Sequence, residues 1–215
     1  MNDLFVRWRE ARPEYDKFNE DGIVNEECWK SMKASKKILF ILKETNGLEG
    51  SLADFLKNGG SPTYYRTWNN IARWTEIIIS GIYLDKINNQ QLHDSIQQIA
   101  ALNIKKQAGS SRSNRKTIFE AADKDREFLQ EEIREIDAGI IITCGFEVVS
   151  YCLHDHIFTE PKDNWIQDDE TGLWYYYSNI IRENKKTIVV SMPHPNRAKK
   201  EYTLKLKSLI QRLQI

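Results

Sequence analysis

This chain has few cysteines and no net charge, and each of these features excludes a class of protein. The 215 residues include three cysteines, Cys28, Cys144 and Cys152, and no two of them form a CxxC pair. An odd number without that spacing provides neither a disulfide framework nor a four-cysteine cluster site, which predicts a reducing, cytoplasmic setting. Basic and acidic residues number 31 each, so the formal net charge is zero. Any contact with nucleic acid must therefore come from local basic patches.

Long apolar runs and nucleotide-binding glycine motifs are also missing. No apolar run approaches the roughly 20 residues of a membrane span, and the charged N-terminus MNDLFVRWRE has no signal-peptide core. No GxGxxG or Walker pattern supports a dinucleotide or P-loop nucleotide. The segment CLHDH (152–156) has metal-type donors, but their alternating spacing does not share one helix face. We therefore expect no membrane partner, no cofactor and no metal site.

Four short apolar segments have the length and composition of buried β-strands. Between them, apolar residues recur at helical spacing, as at Trp68, Ile71, Trp74 and Ile78. Buried strands that alternate with helices predict a three-layer α/β/α fold with a central, mostly parallel four-stranded sheet. The strand segments are KILFILK (37–43), AALNIKK (100–106), GIIITCG (139–145) and KTIVVS (186–191).

The remaining patterns predict the organisation around this sheet. Residues 1–35 carry amphipathic helical spacing, which predicts an N-terminal helical extension packed on a domain that spans residues 36–215. A capping box at 117–120 predicts one long charged helix that continues to residue 136. Turn residues at 170–172 predict a β-hairpin.

Polar residues follow the predicted strands at their carboxyl ends, where ligands bind in parallel α/β sheets. Glu44 follows the first strand, Asn103 lies in the second, and His194 follows the last between two prolines. A carboxylate stabilises a developing cation or orients a water, and a histidine donates a hydrogen bond to a developing anion. An asparagine reads the planar edge of a heterocycle with one donor and one acceptor. This combination fits cleavage of an N-glycosidic bond.

The order of these motifs, ILFILKETNG, AALNIKK, IIITCG and SMPHPNR, resembles that of the uracil-DNA glycosylase superfamily. The resemblance covers roughly residues 37–210. It implies that Glu44 and His194 are catalytic and that Asn103 reads the base. It also implies an aromatic platform downstream of the first motif, at Phe55 or, in its place, Tyr64 or Tyr65.

Contacts with nucleic acid are expected from polar and basic residues near these motifs. DNA, rather than RNA, is the partner that the resemblance implies. Cations hold phosphates, and the segment IKKQAGSSRSNRK (104–116) contains several without an acid. The residues assigned to this contact are Asn196, Arg197, Lys199, Lys105 and Arg112.

The resemblance implies excision of uracil or a related damaged base from DNA, and three departures from the family pattern keep other functions open. Lys43 stands where the family has glycine, Asn46 where it has proline, and Arg197 where the last motif usually has proline. One alternative is a catalytically inactive module of the same fold that binds nucleic acid or a nucleobase. Another is a small-molecule enzyme that acts on a nucleoside or nucleotide.

Overall fold

The computed structural model describes residues 2–60, 64–110, 113–159, 164–182 and 185–214. Within these ranges seven strands form one sheet. They are β1 (Gly22–Ile23), β2 (Ile38–Leu42), β3 (Ile99–Asn103), β4 (Ile140–Cys144), β5 (Ile166–Gln167), β6 (Trp174–Arg182) and β7 (Lys185–Met192). Their order across the sheet is β1-β3-β2-β4-β7-β6-β5.

The central strands β3, β2, β4 and β7 run parallel, whereas β1, β6 and β5 are antiparallel to their neighbours. The expectation of a mixed α/β fold is thus confirmed, and the four predicted strands form the parallel centre. The sheet is wider than the predicted four strands. The hairpin predicted at 170–172 joins the sheet because Trp174 pairs with Ser191 and Tyr176 with Val189. Strand β1 has two residues, too few to show any periodicity.

Helices and single turns connect these strands. The helices are α1 (Asn2–Ala11), α2 (Glu26–Ser31), α3 (Leu52–Lys57), α4 (Arg66–Ser80), α5 (Asn89–Ile96), α6 (Arg115–Lys124), α7 (Arg126–Ile136), α8 (Val149–Tyr151) and α9 (Lys200–Leu213). A π-helical turn, Cys152–Ile157, continues α8, and a 3-10 turn, Pro195–Arg197, follows β7. Residues 1–35, predicted as helical, thus contain β1 as well as helices. No helix in the described parts of the chain has the length and apolarity to cross a membrane.

Side chains of the central strands alternate between two core clusters. Phe40 of β2 belongs to one cluster and Ile41 to the other. Helices α4 and α9 contribute to the first cluster, for example through Trp74 and Leu206. Helices α1, α6 and α7 contribute to the second, for example through Trp8. Helices therefore pack on both faces of the sheet, which explains why each central strand is apolar on both sides.

The prediction of one long helix from residue 117 to 136 is wrong. Asn114, not Thr117, caps the first helix, since its side chain accepts a hydrogen bond from the Lys116 amide. The helix is interrupted at Asp125, which is fully buried. Arg12 Nε and the Tyr15 hydroxyl each lie 2.7 Å from the Asp125 carboxylate. These partners are remote in sequence, so local spacing cannot reveal the break.

Candidate functional site

The chain leaves β2 and β4 toward opposite faces of the sheet. After β2 it enters α3 and α4, which pack in the first core cluster. After β4 it enters α8 and the π-helical turn, which pack in the second. Adjacent parallel strands whose connections diverge in this way leave a crevice at their carboxyl ends, where α/β proteins bind ligands. We call this place, with Lys43, Glu44, Gly145 and His194 around it, the strand-end crevice.

Lys43 lies across the strand-end crevice. Gly145 has a φ of +149°, and a Cβ there would come within 3.6 Å of Lys43 Cε and 3.3 Å of Val149 Cγ2. Glycine at this position therefore avoids strain and leaves room for the lysine side chain. Burial and the neighbouring Arg197 lower the pKa of Lys43. The side chain of Lys43 thus occupies the crevice as a partly desolvated cation.

Glu44 is paired and shielded. Its Oε2 lies 2.7 Å from Lys105 Nζ, and its side chain is 5% exposed. A Cβ on Gly109 would come within 2.1 Å of the Glu44 carboxyl carbon, so the carboxylate packs directly against bare backbone. Glu44 is thus fixed in position, but a cation already neutralises much of its charge.

His194 is uncharged at neutral pH. Burial, together with the charges of Lys43 and Arg197, lowers the pKa of His194 to about 4. Its Nδ1 accepts a hydrogen bond of 3.3 Å from the Asn196 amide. The remaining hydrogen of the neutral ring is therefore on Nε2. His194 presents a neutral N–H donor beside two cations.

The loop that carries His194 is anchored to the start of α4. Asn70 Nδ2 donates hydrogen bonds to the carbonyls of Pro195, at 2.7 Å, and Ala198, at 3.3 Å. Arg66 also donates to the Ala198 carbonyl. Tyr65 precedes Arg66 and is half exposed, and its ring centroid lies 4.5 Å from that of Tyr64. The structure therefore sets this tyrosine pair next to the anchor of the histidine loop.

The other residues predicted to read or stack on a base have different surroundings. Asn103 is buried, and its backbone amide donates to Asp21 Oδ2 at 2.6 Å. Its side-chain amide points to the same oxygen at 3.4 Å. Phe55 is half-buried against the first core cluster and covers Gly60. Asn103 is thus engaged by Asp21, and Phe55 packs against the core.

The residues predicted to contact nucleic acid are divided between surface and interior. Asn196, Arg197 and Lys199 are exposed on the loop after β7. Lys105 is half-buried in its pair with Glu44. Arg112 lies outside the described residues. Of the described residues predicted to contact nucleic acid, those that are exposed therefore lie on the loop after His194.

Asn19 is a positioning residue that no sequence motif indicates. It is fully buried, and its backbone amide donates to the Lys106 carbonyl at 2.7 Å. Its side chain donates to the Leu48 and Gly50 carbonyls at 2.7 and 3.2 Å and accepts a hydrogen bond from the Thr45 hydroxyl. One asparagine thus ties the N-terminal segment to the loops after β2 and β3, the first of which contains Glu44.

Replacing Asn19 with alanine is expected to lower the free energy of unfolding by about 1–3 kcal/mol, because buried carbonyls lose their donor. Amide hydrogen exchange in the loop of residues 44–52 should also accelerate. Chemical denaturation and exchange measured by mass spectrometry test both effects. As a matched control, Asn58→Ala at an exposed helix end should change stability by less than about 0.5 kcal/mol. Unchanged exchange in residues 44–52 would contradict the positioning role.

A scan against models of protein families finds no match, and a search of curated proteins finds none.

Proposed function

We propose that the chain has the three-layer architecture of the uracil-DNA glycosylase superfamily and excises uracil or a related damaged base from DNA at the strand-end crevice. The observation that carries the proposal is the neutral His194, with its hydrogen on Nε2, next to Lys43 and Arg197. A neutral donor among cations is suited to stabilise an anion that develops on a departing base.

The order of the strands supports a shared site for Glu44 and His194. Strands β2 and β7 are separated by β4 alone. Neighbouring strands are about 4.8 Å apart, so the carboxyl ends of β2 and β7 lie roughly 10 Å apart. The influence of Lys43 on the pKa of His194 shows that the two strand ends also interact electrostatically. A flat heterocycle between them would have a carboxylate on one side and an imidazole on the other.

The proposed reaction starts with a base that leaves the helical stack, at a cost of a few kcal/mol. The C–N bond then breaks with oxocarbenium character on the sugar, as glycosidic bonds do. Glu44 faces the sugar cation and orients the water that adds to it, while His194 Nε2 donates a hydrogen bond to the base anion. The proton that the water releases goes to the base, which leaves neutral. Lys43 adds positive charge on the side of the anion. Tyr65, or Tyr64, stacks on exposed bases, while Arg197 and Lys199 hold phosphates.

A second candidate is a module that binds nucleic acid or a nucleobase without cleavage. The ion pair between Glu44 and Lys105 favours it, because a neutralised and shielded carboxylate orients water poorly. The same cations and tyrosines would then serve recognition alone.

An oligonucleotide cleavage assay separates these candidates. We expect alkali-labile sites in uracil-containing DNA, with the single strand cut faster than the duplex, and a rate lowered about 10²–10³-fold in Glu44→Gln. Glu49→Gln, an exposed carboxylate in the same loop, is the matched control and should keep the wild-type rate.

Two other results of this assay would point to the alternative functions. Tight, salt-sensitive binding without cleavage would overturn the enzyme and support the binding module. Turnover of free nucleosides, with neither cleavage nor binding of oligonucleotides, would support the small-molecule enzyme instead.

A further inference from the structure

A cavity of about 530 Å³ opens beside the carboxyl ends of β4 and β7, at the start of β6. We call it the aromatic pocket. Neither Lys43, Glu44 nor His194 lines it, so it is distinct from the strand-end crevice. Its lining residues are Phe146, Glu147, Ser150, Tyr151, Trp165, Thr171, Gly172, Leu173, Trp174, Ser191, Tyr202 and Lys205.

Aromatic side chains form much of the wall of the aromatic pocket and keep a large part of their surface accessible. Trp174 is 43% exposed, Tyr151 49% and Phe146 37%. Trp165 packs edge-on against Tyr176 with ring centroids 4.6 Å apart, which fixes its orientation. Large aromatic surfaces that remain open around a cavity are typical of sites that bind flat or apolar ligands.

A chain of three buried hydroxyls reaches the aromatic pocket from the sheet. The Thr143 and Ser150 hydroxyl oxygens are 2.7 Å apart, and those of Ser150 and Ser191 are also 2.7 Å apart. All three residues are buried, and Ser150 and Ser191 line the pocket. Packing alone does not require polar groups here, and buried polar groups are expensive unless they are satisfied.

The hydroxyl chain offers either a donor or an acceptor to the pocket. When the chain donates inward, from Ser191 through Ser150 to Thr143, it ends on the Val190 carbonyl, 3.4 Å from the Thr143 hydroxyl. Ser191 then presents only oxygen lone pairs to the cavity. When every hydroxyl rotates, Thr143 donates to Ser150, Ser150 to Ser191, and Ser191 donates outward. A keto edge and an amino edge of a heterocycle are therefore both matched.

The charged side chains of the aromatic pocket are paired. Lys205 Nζ lies 2.9 Å from Glu201 Oε1, and Glu147 Oε2 lies 3.8 Å from Arg115 Nη1. The two charged residues of the lining, Glu147 and Lys205, are of opposite sign, so they give the pocket no net preference for an anion or a cation. The pocket is thus better matched to an uncharged ligand than to a phosphate or a carboxylate.

We propose that the aromatic pocket is a binding site for an uncharged, planar nitrogen heterocycle, of the class of a nucleobase or nucleoside. The rings of Trp174 and its aromatic neighbours stack on the faces of the heterocycle. Ser191, backed by Ser150 and Thr143, hydrogen-bonds its polar edge. Because the lining residues differ from those of the strand-end crevice, this site stands whether or not the chain excises bases.

Titration of uridine, thymidine and adenosine into the full chain, followed by calorimetry and saturation-transfer NMR, tests the site. We expect saturable binding of nucleosides. Trp174→Ala should weaken it about tenfold or more, since stacking on an aromatic contributes about 1–3 kcal/mol per base. Ser191→Ala should weaken it roughly threefold to tenfold through loss of one hydrogen bond.

Leu204→Ala is the matched control, because Leu204 is exposed on α9 and does not line the pocket. Its affinity for nucleosides should equal that of the wild type, and circular dichroism verifies the fold of every variant. Absence of nucleoside binding, or binding that neither Trp174→Ala nor Ser191→Ala weakens, would overturn the proposal. Preferential binding of a methyl glycoside would overturn the assigned ligand class.

Discussion

Replacing Lys106 with methionine is expected to lower the free energy of unfolding by about 3–5 kcal/mol. Lys106 is fully buried, with its ammonium hydrogen-bonded to Asp21 and 2.7 Å from Glu132 Oε2. The rings of Trp8 and Phe5 lie 5.0 and 5.8 Å from the same nitrogen. Methionine would leave the Asp21 carboxylate without its cation in an interior that water does not reach. Such a loss is a large fraction of the total stability of a typical domain.

The three charged groups of this buried ionic cluster, Asp21, Lys106 and Glu132, are not equivalent. Burial on its own would lower the pKa of Lys106, but the two carboxylates raise it above its ordinary value. Burial and the Asp21 carboxylate raise the pKa of Glu132 well above its ordinary value. Of the two acids in the cluster, Glu132 is therefore the one whose neutral form is favoured.

Glu132→Gln is the matched control for the methionine variant, because glutamine reproduces the size and neutrality of a protonated glutamate. It should change stability by less than about 1 kcal/mol at acidic pH. Above pH 4.5 the unfolded chain ionises Glu132 while the folded chain retains the proton, so the wild type loses stability as pH rises. Relative to the wild type, Glu132→Gln should therefore become more stable as pH increases.

Urea denaturation of both variants between pH 5 and pH 8 measures these effects. Equal destabilisation by Lys106→Met and Glu132→Gln would contradict the raised pKa of Glu132. A methionine variant as stable as the wild type would show that the lysine contributes no net stability.

Replacing His194 with alanine is expected to lower the rate of the proposed base excision about 10²–10³-fold, the usual effect of removing one preorganised donor to a developing anion. His194→Gln retains an N–H donor and should recover part of this rate. Both variants should bind oligonucleotides with nearly wild-type affinity, because the phosphate contacts are assigned to Arg197 and Lys199. An alanine variant that cleaves at the wild-type rate would remove His194 from the mechanism.

The protonation of His194 is measurable without any substrate. Its pKa of about 4 predicts that the imidazole resonances stay constant between pH 8 and pH 5 in an NMR titration. Lys43→Met should raise this pKa, because one of the cations that lower it is lost. The pH dependence of stability follows from this lowered pKa. As the pH falls from 6.5 to 4, the unfolded chain binds a proton at His194 and the folded chain does not. The free energy of unfolding of the wild type should therefore decrease as the pH falls through this range, and that of His194→Ala should decrease less.

Local patterns were sufficient to predict the centre of the fold. The strands β2, β3, β4 and β7 overlap the four predicted apolar segments, since a strand covered on both faces is mostly apolar. The second segment was predicted to run to Lys106, whereas β3 ends at Asn103. The hairpin near residue 172 follows from turn residues between strand-forming aromatics. Each of these signals depends on residues that are neighbours in the chain.

The candidate site was predictable only in part. The carboxyl-end rule indicated Glu44 and His194 correctly as residues at strand ends, but not what surrounds them. Lys106 ends the predicted strand 100–106 and begins a run of basic residues, a pattern typical of a solvated cation, yet it is buried against α7. Asn19 had no distinguishing motif at all, although it positions the loop that contains Glu44.

The sequence by itself determined the four central strands and the polar residues that end them, because periodicity and apolar composition act over a few residues. Tertiary structure alone decided the pairing of Glu44 with Lys105, the neutrality of His194 and the burial of Lys106. Those properties depend on desolvation and on charges brought together from distant parts of the chain, and no local pattern encodes either.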